Sequence, residues 1–152
     1  MLRSQQGADI ERGGRKRVEV RKQQFMVFSV GNERLAARID EVWGIEPWTG
    51  ATTIPSTTPF VTSVIHRNDE MLPVYQLAEK FGHSGFQEGS LCLIIKHADG
   101  PLAICIDGRI PSLHTVDGAR VRIHSGPDPD VLGTCTIGEE EIPIINLKTL
   151  GG

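Results

Sequence analysis

Asp69–Leu77 reads "DEMLPVYQL", an acidic turn and then an apolar strand-like run with Pro73 in the middle of it. Proline has no N–H to give to a ladder, so within sheets it is confined to edges, strand starts and bulges. Glu139–Leu147 reads "EEEIPIINL" and repeats the pattern: acidic turn, apolar residue, proline, two large apolar or aromatic residues, amide, leucine. A spelling used twice points to a repeated device. Pro73 and Pro143 are predicted to sit at equivalent strand starts or bulges where no ladder N–H is required.

Upstream of each copy lies a second repeated block. "FMVFSVGNERLAARIDEV" and "LCLIIKHADGPLAICIDGRI" each hold an apolar strand, a turn and a second strand ending in Ile-Asp, at Ile39-Asp40 and Ile106-Asp107. The offset is 67 residues for the Ile-Asp pairs (39 to 106) and 70 for the prolines (73 to 143). Two blocks in the same order at nearly one offset predict a duplicated, pseudo-symmetric architecture. A unit of about sixty to seventy residues is marginal for an independent core, so the two units are expected to share an apolar interface.

The remaining segments fit an all-β reading. Both faces of "QFMVFSV" are apolar, as in a strand buried on two sides, and "LAARIDEVWGIEP" resumes as a second strand and its continuation. "WTGATTIPSTTPFV" and "HTVDGARVRIHSGPDPD" read as loop and turn, and "SVIHR" as a strand. "LAEKFG" allows one helical turn ended by Gly82. Many short strands with hardly any helix indicate a barrel or sandwich.

The net charge of -3 over 152 residues is unevenly spread. Residues 1–22 carry Arg3, Arg12, Arg15, Lys16, Arg17, Arg21 and Lys22 against Asp9, Glu11 and Glu19, which leaves an acidic body. The segment reads as a flexible arm, either a solvated tail or a basic arm for an acidic partner, ahead of one domain over 23–152. No run approaches the roughly 18 apolar residues of a membrane helix and no signal-like apolar core opens the chain, so a cytoplasmic protein without membrane insertion is expected. Cys92, Cys105 and Cys135 lie in apolar runs without metal-ligand spacing and read as buried thiols. Neither metal nor cofactor is expected. No nucleophile elbow, phosphate-binding glycine loop or zinc-helix motif is present, and Cys135 in "GTCT" reads as packing before it reads as a nucleophile.

The blocks together resemble the CheW-like domain of bacterial chemotaxis coupling proteins. "FMVFSVGNERLAARIDEVWGI", "TTIPSTTPFVTSVIHRNDEMLPVYQLAEKFG", "LAICIDGRIPSL" and "VLGTCTIGEEEIPIINLKTL" carry the resemblance over nearly all of residues 23–150. It implies two intertwined five-stranded SH3-like barrels packed through a common core, with no enzymatic activity. It implies an adaptor that binds the regulatory domain of a CheA-type histidine kinase and the cytoplasmic tip of a methyl-accepting chemoreceptor, and that joins the kinase in rings through the barrel ends. The chain departs from the family at the contact residues. Ser63 stands for a usual glycine, Asn68 for the arginine associated with receptor coupling, Asp69 for the next glycine and Gln76 for an aspartate. Gly44 stands where an acidic residue tied to kinase binding is common.

The candidate interaction residues follow from that match. Val42 and Ile45 flank Gly44 on a segment that reads equally as kinase-facing rim or as core. Trp43 and Trp48 suit either an interface or a barrel mouth. Val64, Ile65 and Asn68 match the receptor-side stretch, with His66 and Arg67 as a source of the positive charge that Asn68 lacks. An alternative reading is a small β-barrel that grips nucleic acid with its basic arm. The acidic body and few aromatic residues oppose it.

Overall fold

A computed structural model of the chain describes residues 21–83, 89–124 and 126–151. Most of the basic arm, 1–20, lies outside the described residues, while Lys22, at its end, already opens the first strand. In order the elements are β1 (Lys22–Val30), β2 (Glu33–Arg38), β3 (Val42–Pro47), β4 (Thr52–Thr53), β5 (Val61–Arg67) and β6 (Glu70–Tyr75). One helical turn, α1 (Leu77–Lys80), precedes β7 (Leu91–His97), β8 (Gly100–Ile106), β9 (Ser112–Asp117), β10 (Val121–Ile123), β11 (Val131–Ile137) and β12 (Glu140–Ile145). Short 3-10 turns occupy Ile39–Glu41, Gly118–Arg120 and Leu147–Thr149.

The strands form two sheets, ordered β10-β11-β12-β2-β1-β9 and β3-β7-β8-β6-β5-β4. Each has five strands of six or more residues and one short addition, β10 or β4, matching the expected pair of five-stranded units. The sequence repeats, however, are not the spatial units. Hairpin β1–β2 of the first repeat leaves β3–β6 and pairs within the second repeat's sheet, and β7–β8 does the converse. Exchanging the repeats turns one sheet order into the other read backwards. The two parallel junctions are equivalent too: Ala36 pairs with Ile144, and Ala103 with Val74. Ala36 to Ala103 is the offset of 67, and Val74 to Ile144 the offset of 70.

The core follows from this exchange. In β1, Phe25 and Val27 point into a small cluster with Ala36, Val116, Cys135, Ile142 and Ile144, while Met26, Phe28 and Val30 point the other way. In β7, Cys92 and Ile94 enter a second cluster with Ile65, Leu72, Val74 and Ala103, while Leu93 and Ile95 turn outward from it. The outward sets meet Leu35, Leu102, Ile104, Tyr75 and Leu147 in one large shared core. β1, β2, β7 and β8 are therefore buried on both faces, which explains why their apolar runs do not alternate.

The prolines have a common solution that is neither a strand start nor a bulge of their own strand. Both stand at the fourth of six positions. Arg67 and Glu70 flank a two-residue turn and form a hydrogen-bonded closing pair; from there pairs alternate, so Val64–Pro73 is a non-hydrogen-bonded site. Thr134–Pro143 is its equivalent, counted from Ile137–Glu140. On the other edge, the parallel neighbour is met only from Val74 or Ile144 onward. Each proline thus needs no N–H towards the first neighbour and precedes the second. The register irregularities lie in the partner strands, at Val61/Ser63 and Val131/Gly133.

Two further differences from the sequence reading have local causes. β9 lies in the stretch read as turns because it is an edge strand: only Val116 of its six residues is buried. β3 does not continue β2, because the 3-10 turn at Ile39–Glu41 redirects the chain into the other sheet. Glu41 Oε1 accepts the Leu147 N–H at 3.2 Å across the shared core. The carboxy-terminal segment is held by Asp130, which accepts from Gly151 N–H at 3.1 Å and from Lys80 Nζ at 2.5 Å. Burial opposes the Lys80 charge, but hydrogen bonds to Asp130 and Asp128 outweigh it and hold its pKa above the usual lysine range.

Candidate functional site

The residues singled out in sequence fall on the edge strand β3 of the second sheet, on the segment just after it, and on the hairpin β5–β6 towards the sheet's other end. β3 is its outermost strand, paired only with β7, and bulges between Val42 and Gly44. That bulge lies at Trp43, which is 56% exposed and has Lys96 Nζ 6.0 Å from its ring centroid. The ammonium over the ring is a cation–π contact that holds a large apolar surface outward. Ile45 is 40% exposed, whereas Val42 is half-buried against the shared core. Trp48 packs partly buried on the second small cluster, and its backbone N–H donates to Ser90 O at 3.1 Å. β3 thus exposes Trp43 and Ile45 to solvent and keeps Val42 and Trp48 largely for packing.

The other stretch is the hairpin β5–β6, one strand in from the opposite edge strand β4, which covers β5 only at Ser63 and Val64. Val64 and Ile65 are buried, so they support this surface and do not form it. His66 and Asn68 are exposed, and Arg67 is partly so. Asn68 and Asp69 have φ of 51° and 67°, the left-handed pair of a tight hairpin turn. Asparagine and aspartate tolerate that conformation better than most residues, which is the local reason the turn closes without glycine. Met71, directly across from His66 and 59% exposed, belongs to the same face. Its place in an apolar strand hid it from sequence reading; only its position next to the turn hinted at exposure.

One ion pair joins the two stretches. Arg67 Nε donates to Glu46 Oε2 at 2.5 Å, linking the end of β5 to β3 beside the thiol of Cys92. Trp43 and Ile45 on β3, and His66, Asn68 and Met71 on the β5–β6 hairpin, are thus linked by this contact. Other large exposed side chains, Ile110, Leu113 and Ile123, are in or beside the edge strands β9 and β10 of the first sheet. Leu113 pairs with Met26 as Ile45 pairs with Leu93, so it is the pseudo-symmetric counterpart of Ile45.

Where the family usually has glycine, Ser63 is buried and its hydroxyl has no hydrogen-bond partner among the described residues. Its equivalent seventy residues on is Gly133, where a Cβ would overlap the Arg122 carbonyl oxygen. At Gly44 a Cβ would meet nothing within 4 Å, so the missing acidic side chain is not excluded by space.

The arrangement has little to offer chemistry. Cys135 is fully buried, which pushes its thiol pKa up, and no hydrogen bond joins it to a histidine among the described residues. An apolar recess of about 240 Å³ between Val61, Pro73, Tyr75, Pro101 and Leu150 is also lined by His97. Both ring nitrogens of His97 are engaged: Asp99 N–H donates to Nδ1 at 3.0 Å and Nε2 lies 2.8 Å from the Leu150 carbonyl. Among the described residues no group of histidines, cysteines and carboxylates could hold a metal ion, and no helix is long and apolar enough to cross a membrane.

Comparison with known proteins places this geometry. The family model described as "CheW-like domain" matches residues 24–150. "Chemotaxis protein CheW" of Klebsiella aerogenes is 26% identical over 139 residues, covering 84% of this chain and 81% of that protein. Among solved structures, the scaffolding protein TtCheW from Thermoanaerobacter tengcongensis superposes with a TM-score of 0.72 at 21% identity, covering 84% of this chain and 91% of the other.

Proposed function

The chain belongs to the CheW-like domain family, and from that premise we propose that it is a chemosensory adaptor joining a CheA-type histidine kinase to the cytoplasmic tip of a methyl-accepting receptor. It is a non-catalytic scaffold of chemotaxis signalling, working by protein–protein contact. We assign the kinase-facing surface to Trp43 and Ile45, with Val42 beneath them, and the receptor-facing surface to His66, Arg67 and Asn68, supported by Val64 and Ile65. A cytoplasmic location follows from such partners.

The observation that carries this reading is the link between the two stretches through Arg67–Glu46. An adaptor must hold two partner surfaces in fixed relation, and here both are strands of one sheet. The departures at Asn68 and Gly44 give the surfaces a different charge pattern from that usual in the family, which suits a receptor or kinase that differs correspondingly, as in an auxiliary or non-flagellar pathway. The test is a pair of titrations, against the kinase regulatory domain and against a receptor-tip fragment from the same cell. Trp43→Ala should weaken the first by tenfold or more and leave the second unchanged. An unaltered kinase titration would remove Trp43 from the interface.

A further inference from the structure

Cys92 and Cys105 stand directly opposite each other on β7 and β8, both as free thiols. His97 and Gly100 flank the two-residue turn of that hairpin and form its hydrogen-bonded closing pair; alternating back from there, Cys92–Cys105 is a non-hydrogen-bonded site. Pro101, opposite Lys96, obeys the same alternation, since it falls where no N–H is required. At such a site the Cα atoms are about 4.5 Å apart and both side chains lie on one face. A disulfide accepts a Cα separation of about 4.4–6.8 Å.

The architecture does not itself demand two cysteines here. The equivalent positions of the first repeat are Phe25 and Arg38, also directly paired. Nor are the two sulfurs alike. Cys105 is 9% exposed and its thiolate is favoured by the Ser90 hydroxyl, although burial still raises its pKa. Cys92 is 2% exposed and is pushed up to about 12, by burial first and then by Glu46.

We propose that Cys92 and Cys105 are a reversible redox pair, closed into a cross-strand disulfide by a small hydroperoxide. Cys105, as the thiolate, attacks the outer peroxide oxygen; the O–O bond breaks, the departing alkoxide or hydroxide takes up a proton, and Cys105 becomes a sulfenic acid. The Cys92 sulfur then attacks the Cys105 sulfur. The S–O bond breaks, and water leaves with the Cys92 proton. Two thiols are oxidised by two electrons and the hydroperoxide is reduced to an alcohol, or to water when it is hydrogen peroxide, with a further water formed. Cys92 pairs with Glu46 of β3, so the bond would form between the two strands next to the one that carries Trp43 and Ile45. A dithiol reductant restores both thiols.

The experiment treats the folded full chain with hydrogen peroxide, removes the excess with catalase, then unfolds and alkylates it without reduction. Trypsin cuts after Lys96, which places the two cysteines on separate peptides. The expected result is a linked pair of peptides holding Cys92 and Cys105, Cys135 alkylated, and recovery of all three thiols after dithiothreitol. The same link should form in Cys135→Ser, and in Cys105→Ser the Cys92 thiol should remain alkylatable. Peroxide-treated protein with all three thiols free, Cys105 oxidised further while Cys92 stays free, or links that include Cys135 would each overturn the proposal.

Discussion

Arg67 and Glu46, twenty-one residues apart, meet at 2.5 Å and tie the tip of one hairpin to the outermost strand of the sheet. The side chains keep 29% and 39% exposure, so solvent screens the pair and its net worth to folding is under about 1 kcal/mol. Its value lies in holding β3 against β5. In a double-mutant cycle, Arg67→Ala and Glu46→Ala should each shift the denaturation midpoint little. Either should weaken both partner titrations together. Loss of only one titration would show that the ion pair does not couple the two stretches.

Gly44 has open space where a side chain would go. Gly44→Glu restores the acidic character usual at this place in the family and should leave the fold intact. If the partner kinase carries the usual complementary charge, binding tightens by up to about tenfold, mainly through a faster on-rate that falls with salt. Titrations at two ionic strengths check this. Equal or weaker binding at both would place the kinase contact elsewhere on β3.

Ser63 buries a hydroxyl without a partner among the described residues, and such a group costs about 1–3 kcal/mol. Ser63→Ala keeps the Cβ, removes the orphaned oxygen and should raise stability by roughly 1 kcal/mol in urea. The equivalent change in the other repeat has the opposite sign. Gly133→Ala drives a Cβ into the Arg122 carbonyl and should cost on the order of 3 kcal/mol. Two changes of one sign would break the equivalence of these positions.

Glu41 is half-buried; burial raises its pKa, and the Leu147 N–H and the Arg38 charge lower it only in part. The folded value is thus above that of the unfolded chain, about 4.3. The group's contribution is fully present below the unfolded value and is lost as pH rises through the folded one. Glu41→Gln keeps an oxygen for the Leu147 N–H and removes the titration. The variant should therefore gain on the wild type between about pH 4 and pH 7 in urea melts. A constant difference across that range would contradict the burial argument.

Much of this architecture was legible because buried packing leaves a pattern. The offsets of 67 and 70 reappear at Ala36/Ala103 and Val74/Ile144, which pair across equivalent junctions. The family resemblance implied intertwined barrels, but which hairpins exchange was not legible: Ile39–Glu41 gives no sign that β3 changes sheets, since both destinations bury the same kinds of side chain. Val64 and Ile65 resembled contact residues by position in the family pattern, yet their strand faces the interior. Met71 and Lys96 were missed for the converse reason. Their exposure depends on which strand lies opposite, and one sequence does not carry that information.

Bridging is the function in question, so the decisive measurement is ternary. Receptor-tip fragments reconstituted on vesicles are sedimented with the histidine kinase, with and without this chain. Kinase should pellet with the vesicles only when the chain is present, and Arg67→Glu, which sets like charges against Glu46, should abolish that recovery. Kinase recovery that is the same with and without the chain, under conditions where the cell's own arrays stay intact, would contradict an adaptor role.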